Sequence, residues 1–176
     1  EGCNVSRARL IPFTHNNAEN ALEKLNKARD RNAAGTKLLI TEGVFSMSGD
    51  LSSLPELAKL KDLHPDLLMY LDDAHGLGVM GPGGRGTAAH FGLTHKMDFI
   101  MGTFSKALAS IGGFIAGDDE DIFEYMKHHS RPLIFSAALP AANVATVLAC
   151  LDIIEREPER VARLWEITEK ARVGFQ

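Results

Sequence analysis

The sequence predicts an α/β fold, a mainly parallel sheet sandwiched by helices. Three observations carry that expectation. Apolar runs of strand length at residues 37–41, 67–71 and 99–103 alternate with segments of helical periodicity. The runs are continuously apolar, the pattern of strands covered on both faces. Each run also ends in polar residues: Glu42 and Ser46 after the first, Asp72, Asp73 and His75 after the second, Thr103, Ser105 and Lys106 after the third. Ligands of parallel sheets bind in the crevice beyond the carboxyl ends of the strands, so one crevice can hold all of these side chains.

Taken in order, residues 7–13 read as a short strand. Asn17 caps a helix running to about Asn32, with Ala18, Ala21, Leu22, Leu25 and Ala28 at three-to-four spacing, and Gly35 ends it. The run at 37–41 follows as a strand. Ser53 caps the next helix, with Pro55 in its first turn and Leu57, Leu60 and Leu63 facing inward; His64-Pro65 stops it. Residues 67–71 and 99–103 give the second and third strands, and residues 113–116 a fourth. Residues 122–128, 141–157 and 159–172 read as helices, the last two parted by Pro158. No internal repeat, linker or low-complexity tract interrupts the pattern.

With 45% hydrophobic residues and a formal net charge of -4, the chain has material for a core and no basic field for nucleic acid. Apolar runs such as residues 67–71 are far short of a membrane span, so no transmembrane segment is expected. Cys3 and Cys150 lie far apart and belong to no C-x-x-C or Cys/His cluster, which fits a reducing cytoplasm. The chain opens on Glu1 and closes inside a helical pattern, so both ends are expected to be cuts within a longer protein.

Two overlapping G-x-G-x-x-G matches, Gly76/Gly78/Gly81 and Gly81/Gly83/Gly86, with Asp98 downstream, imitate a dinucleotide fingerprint. That fingerprint must open a helix toward a pyrophosphate, and Pro82-Gly83-Gly84 would break such a helix in its first turn. The segment reads as a glycine-rich loop. Asp72, Asp73 and His75 would need further ligands to hold a metal, and the remaining histidines offer none at convergent spacing, so no metal is expected.

Lys106 is the informative residue. It sits in residues 102–113, GTFSKALASIGG, with no other charge, so the lysine is expected to be interior. Burial weakens an ammonium and frees an amine nucleophile. Thr103 and Ser105 add hydroxyl donors suited to a phosphate, and a strand-end aspartate offers an anion to a pyridine nitrogen. Those are the requirements of pyridoxal 5'-phosphate (PLP).

Four segments then fall into a family pattern: residues 41–50, TEGVFSMSGD; 72–78, DDAHGLG; 81–86, GPGGRG; and 102–113. In content, order and spacing they resemble the α-oxoamine synthase family of PLP enzymes. The resemblance runs through the whole chain, over the middle of a longer family chain. It implies a PLP-dependent transferase fold type I, the aspartate aminotransferase-like or aminotransferase class I/II fold. Residues 1–176 would be the central part of the PLP-binding large domain, with the amino-terminal segment and carboxyl-terminal small domain absent. It further implies that Lys106 carries PLP as a Schiff base, Asp72 pairs with the pyridine nitrogen, His75 and Ser46 hydrogen-bond the ring oxygen, and Thr103 contacts the phosphate. Residues 131–138, RPLIFSAA, resemble the segment that reaches the phosphate of the other subunit. Ser136 is therefore a cofactor-binding candidate and a homodimer the expected assembly; Ala137 stands where some members carry a second hydroxyl.

The chemistry implied by the resemblance is a decarboxylating, Claisen-like condensation of an amino acid with an acyl-CoA to give an α-amino ketone. Lys106, His75 and Asp72 are its catalytic candidates. Residues 90–93, HFGL, 103–106, TFSK, 109–113, ASIGG, and 157–160, EPER, look closest to members that use L-serine and a long-chain acyl-CoA in sphingolipid biosynthesis. Members using L-alanine and pimeloyl-CoA share nearly every motif, and a non-catalytic dimerisation piece is the other alternative. The family's glycine-rich phosphate turn, ring-stacking histidine and carboxylate-binding arginine are missing. The chain alone is not expected to be a competent enzyme.

Overall fold

The parallel pairing foreseen from the apolar runs is the centre of the protein. The computed structural model describes residues 2–31 and 35–175. Its four-stranded sheet has the order β1 (Lys37–Glu42), β2 (Leu67–Asp72), β3 (Phe99–Thr103) and β4 (Gly113–Ala116). The first three strands are parallel and β4 returns antiparallel beside β3.

Along β2 the side chains alternate. Leu67, Met69 and Leu71 are fully buried, whereas Leu68, Tyr70 and Asp72 are half-buried. The buried face packs with Leu39 on α2 (Ala18–Arg31), α3 (Leu54–Ala58) and α4 (Leu60–Leu63), through Ala21, Leu54, Leu57 and Leu60. Each fully buried leucine contributes about 1.5–3 kcal/mol of apolar transfer. The other face is thinner. Leu38 is 49% and Ile40 40% exposed there. Tyr70 and Phe99 lie on that face with ring centroids 6.3 Å apart, and Phe123 of α6 (Glu120–His129) approaches Phe99 at the same distance.

The remaining helices among the described residues are α1 (Gly2–Val5), α5 (Thr87–His90), α7 (Arg131–Ile134), α8 (Ala141–Arg156) and α9 (Glu159–Gly174). The α9 helix is tied to the glycine-rich loop, since the Trp165 indole N–H donates to the Val79 carbonyl at 2.9 Å. No helix among the described residues is long and apolar enough to cross a membrane.

Several local expectations change. Residues 7–13 form no strand: they run as irregular chain without a neighbour in the sheet. Asn17 does cap α2, accepting the Asn20 amide at 2.8 Å, while the expected end near Asn32 lies outside the described residues. Ser53 stands at the head of α3, but its hydroxyl donates to the Asn16 carbonyl at 3.1 Å and not into the helix. Leu63 faces solvent, because α4 ends there and the extended His64 takes the interior place at 1% exposure. The Pro82–Gly84 stretch of the glycine-rich loop opens no α-helix, and only the short α5 follows Gly86. Pro82–Gly84 is a single 3-10 turn with Gly83 at φ 59°, and Asp98 is committed elsewhere, accepting the Met69 amide at 2.7 Å and Lys61 Nζ at 2.6 Å.

Candidate functional site

Parallel register sets Glu42, Asp72 and Met101 in one row. Such partners project to the same face, so Asp72 looks out on the half-open side of the sheet, and Thr103, two residues past Met101, ends the next strand on that face. Asp72 Oδ1 accepts the Ala74 amide at 3.1 Å. Its carboxylate has no cationic partner among the described residues. It lines a cleft of ≈ 420 Å³ with Ile40, Glu42, Phe45 and His15 among its walls. Asp72 is the only one of the predicted site residues in that lining. Burial, and after it the Asp72 charge, push the neighbouring Tyr70 phenol up.

The far wall is a clasp that the sequence did not single out. His15 Nε2 lies 2.9 Å from Asp50 Oδ2 and its ring stands edge-on to Phe45, centroids 4.3 Å apart. Asn16 donates to the Leu51 carbonyl at 2.7 Å. Together they fasten the chain ahead of α2 across the ends of the strands.

Asp73, adjacent in sequence, goes the other way. It is 3% exposed, and its Oδ2 accepts the Thr87 amide at 2.7 Å. Burial pushes its carboxyl up, with the Thr87 hydroxyl and amide opposing. The only sequence signal for this burial was the crowd of glycines around it.

The other predicted residues lie around the strand ends. Ser46 is exposed in the turn after β1, and its amide donates to Glu42 Oε2 at 3.3 Å. His75 is exposed in the turn after β2. Thr103 Oγ1 is 2.8 Å from Ser105 Oγ and accepts the Ser105 amide at 3.2 Å, so two hydroxyls act as a pair. Lys106 is not interior. It is exposed, because the hairpin joining β3 to β4 turns Leu108 inward at 1% exposure and stacks Phe104 on Phe114, which leaves the lysine on the outer side. Ser136 is exposed and donates locally to the Pro132 carbonyl; no bond joins it to the strand-end residues.

Residues 1–176 match the family described as aminotransferase class I and II, and the chain belongs to it. It is 46% identical over 172 residues to a serine palmitoyltransferase of Sphingobacterium spiritivorum, covering 98% of this chain and 42% of the relative. It is 43% identical over 180 residues to an 8-amino-7-oxononanoate synthase of Fervidobacterium nodosum, covering 99% and 45%. A serine palmitoyltransferase structure from S. paucimobilis with a bound PLP–myriocin aldimine superposes with a TM-score of 0.87 at 34% identity, over 94% of this chain and 40% of that one. The relatives are α-oxoamine synthases, and the fold is the type I fold of PLP enzymes, here incomplete. The chain spans less than half the length of these proteins.

Proposed function

We propose that the intact protein is a PLP-dependent acyltransferase of the serine palmitoyltransferase kind, condensing L-serine with a long-chain acyl-CoA and releasing CO2 and CoA. The chain is then the central part of its PLP-binding large domain, completed by an amino-terminal segment and a carboxyl-terminal small domain. The observation that carries the reading is the unpaired Asp72 carboxylate at the end of β2, one strand from the Thr103–Ser105 hydroxyl pair. An amine on the next hairpin, an anion and paired hydroxyls suit the donor needs of PLP.

When bound, PLP supplies an electron sink for charge left at the amino acid's Cα. With PLP bound, Lys106 would be the residue that holds the cofactor covalently, and its amine would serve as general base toward the Cα proton. Asp72 would pair with the ring nitrogen, a charge-assisted contact that would favour its protonated form. His75 and Ser46 would orient the ring oxygen, and Thr103, paired with Ser105, would hold the phosphate. Ser136 would reach the phosphate in the partner's site of a homodimer, a role supported by the exposed apolar residues around it, Leu133, Ile134, Phe135 and Leu139. Free thiols at Cys3 and Cys150 support a cytoplasmic enzyme of sphingolipid biosynthesis.

The 43% identity to an 8-amino-7-oxononanoate synthase favours a second reading, condensation of L-alanine with pimeloyl-CoA. The test is turnover by the intact protein of the two substrate pairs. Faster product formation from L-serine and palmitoyl-CoA is expected; turnover of the alanine pair alone replaces the first reading with the second.

A further inference from the structure

Asp73 sits where three loops meet. Its Oδ1 and the Thr87 Oγ1 are buried atoms without a hydrogen-bond partner of ordinary geometry. Both press against bare glycine backbone. A Cβ added to Gly43, just past β1, would stand 2.5 Å from each of them, and one on Gly76 would overlap both still further. A Cβ on Gly86 would overlap Oδ2. The end of β1, the turn after β2 and the start of α5 therefore close on a single carboxyl group.

Its backbone is held as well. The Asp73 N–H donates to the Met101 carbonyl at 2.8 Å, and its carbonyl accepts the amides of Gly76 at 3.1 Å and Leu77 at 2.9 Å. Asp72 is the residue before it and His75 lies two residues after. The turn from 72 to 75 cannot rotate unless the carboxyl leaves its glycine pocket and abandons the Thr87 amide.

We propose that Asp73 is a positioning residue: wedged against Gly43, Gly76 and Gly86 and bonded to Thr87, it fixes the turn that presents Asp72 and His75 to the cofactor. This rests on the PLP reading above. Asp73 itself touches neither cofactor nor substrate. Burial favours its uncharged form, so a neutral isostere should serve in its place. Asparagine keeps an acceptor for the Thr87 amide and offers a donor to the Thr87 hydroxyl. Alanine removes the acceptor of the Thr87 amide and leaves that buried N–H unpartnered, a defect of about 1–3 kcal/mol.

The test uses the intact protein loaded with PLP, reading the cofactor dissociation constant and the visible circular dichroism of the bound cofactor, which reports ring orientation. Asp73→Ala is expected to weaken binding roughly tenfold and change the dichroism. Asp73→Asn should stay within about twofold of the parent by the same conversion. Gly43→Ala is a second probe, since its Cβ would crowd the Asp73 carboxyl and the Thr87 side chain while Asp73, Asp72 and His75 themselves stay unsubstituted, and it is expected to shift the turn and change the dichroism too. Folded Asp73→Ala or Gly43→Ala protein with parental affinity and dichroism overturns the proposal, as does Asp73→Asn failing as badly as Asp73→Ala. A parent protein that gives no lysine-linked visible band at all sinks the PLP reading itself, a result seen before any variant is made.

Discussion

Gly78 and Ala107 are in direct contact: a Cβ on Gly78 would stand 2.5 Å from the Ala107 Cβ. The glycine-rich loop thus backs the hairpin that carries Lys106. Gly78 also has φ +79°, which L side chains resist. Gly78→Ala is expected to cost about 1–3 kcal/mol from crowding and strain, and to push the lysine hairpin away. Chemical denaturation of the variant and the intensity of its visible cofactor band would both fall.

Lys106 is exposed on that hairpin. The intact protein is expected to be yellow when loaded with PLP. Lys106→Ala should abolish the parental band, and borohydride reduction should then leave no lysine-linked cofactor.

For Asp72 the expectation follows from charge. Asp72→Asn keeps size and shape but cannot hold a proton on the ring nitrogen, so the variant should bind PLP and lose several kcal/mol of stabilisation at Cα deprotonation. That is a rate drop of roughly a thousandfold or more. Solvent exchange of the Cα proton of bound amino acid measures it. A mere capping aspartate would tolerate asparagine.

Asp73 gives a pH signature of opposite sign to a salt-bridged carboxylate. Burial, aided by the Asp72 charge, raises its folded value, so the folded chain binds this proton more tightly than the unfolded chain does. Its stabilising contribution is complete below the ordinary aspartate value and fades as pH rises through the raised one. Asp73→Asn should therefore gain stability relative to the parent as pH increases across that window. Urea midpoints at successive pH values read the difference.

Ala109, three residues past Lys106, is held at φ +48°. Glycine has no such penalty there, and Ala109→Gly is expected to be neutral or stabilising by up to about 1 kcal/mol, despite the added chain freedom of glycine when unfolded. Thermal melting compares the two.

The strands were legible because each apolar run has strand length and polar ends; residues 99–103 and 113–116 are strands with those bounds. Residues 7–13 carry apolar Leu10, Ile11 and Phe13, yet a strand also needs a neighbour to bond with, and no local pattern reveals its absence. The same limit applies to Lys106. A charge-free run marks a segment that packs, but which member turns inward is decided by the hairpin, and Leu108 takes that place. Asp72 and Asp73 are chemically identical in the sequence. Only the pleat of β2 separates them, sending one carboxylate to the open face and the other among the glycines.

The bond from Trp165 to the Val79 carbonyl gives the protein an optical sensor of its own. Trp165 is the only tryptophan in the chain, so emission from these 176 residues is a one-site signal. Its indole is anchored to the residue beside Gly78, and hence one contact away from the lysine hairpin. Any shift of that loop on loading would change the indole's hydrogen bond, and a yellow chromophore nearby would quench its light by energy transfer. Fluorescence of Trp165 can therefore report movement of that loop.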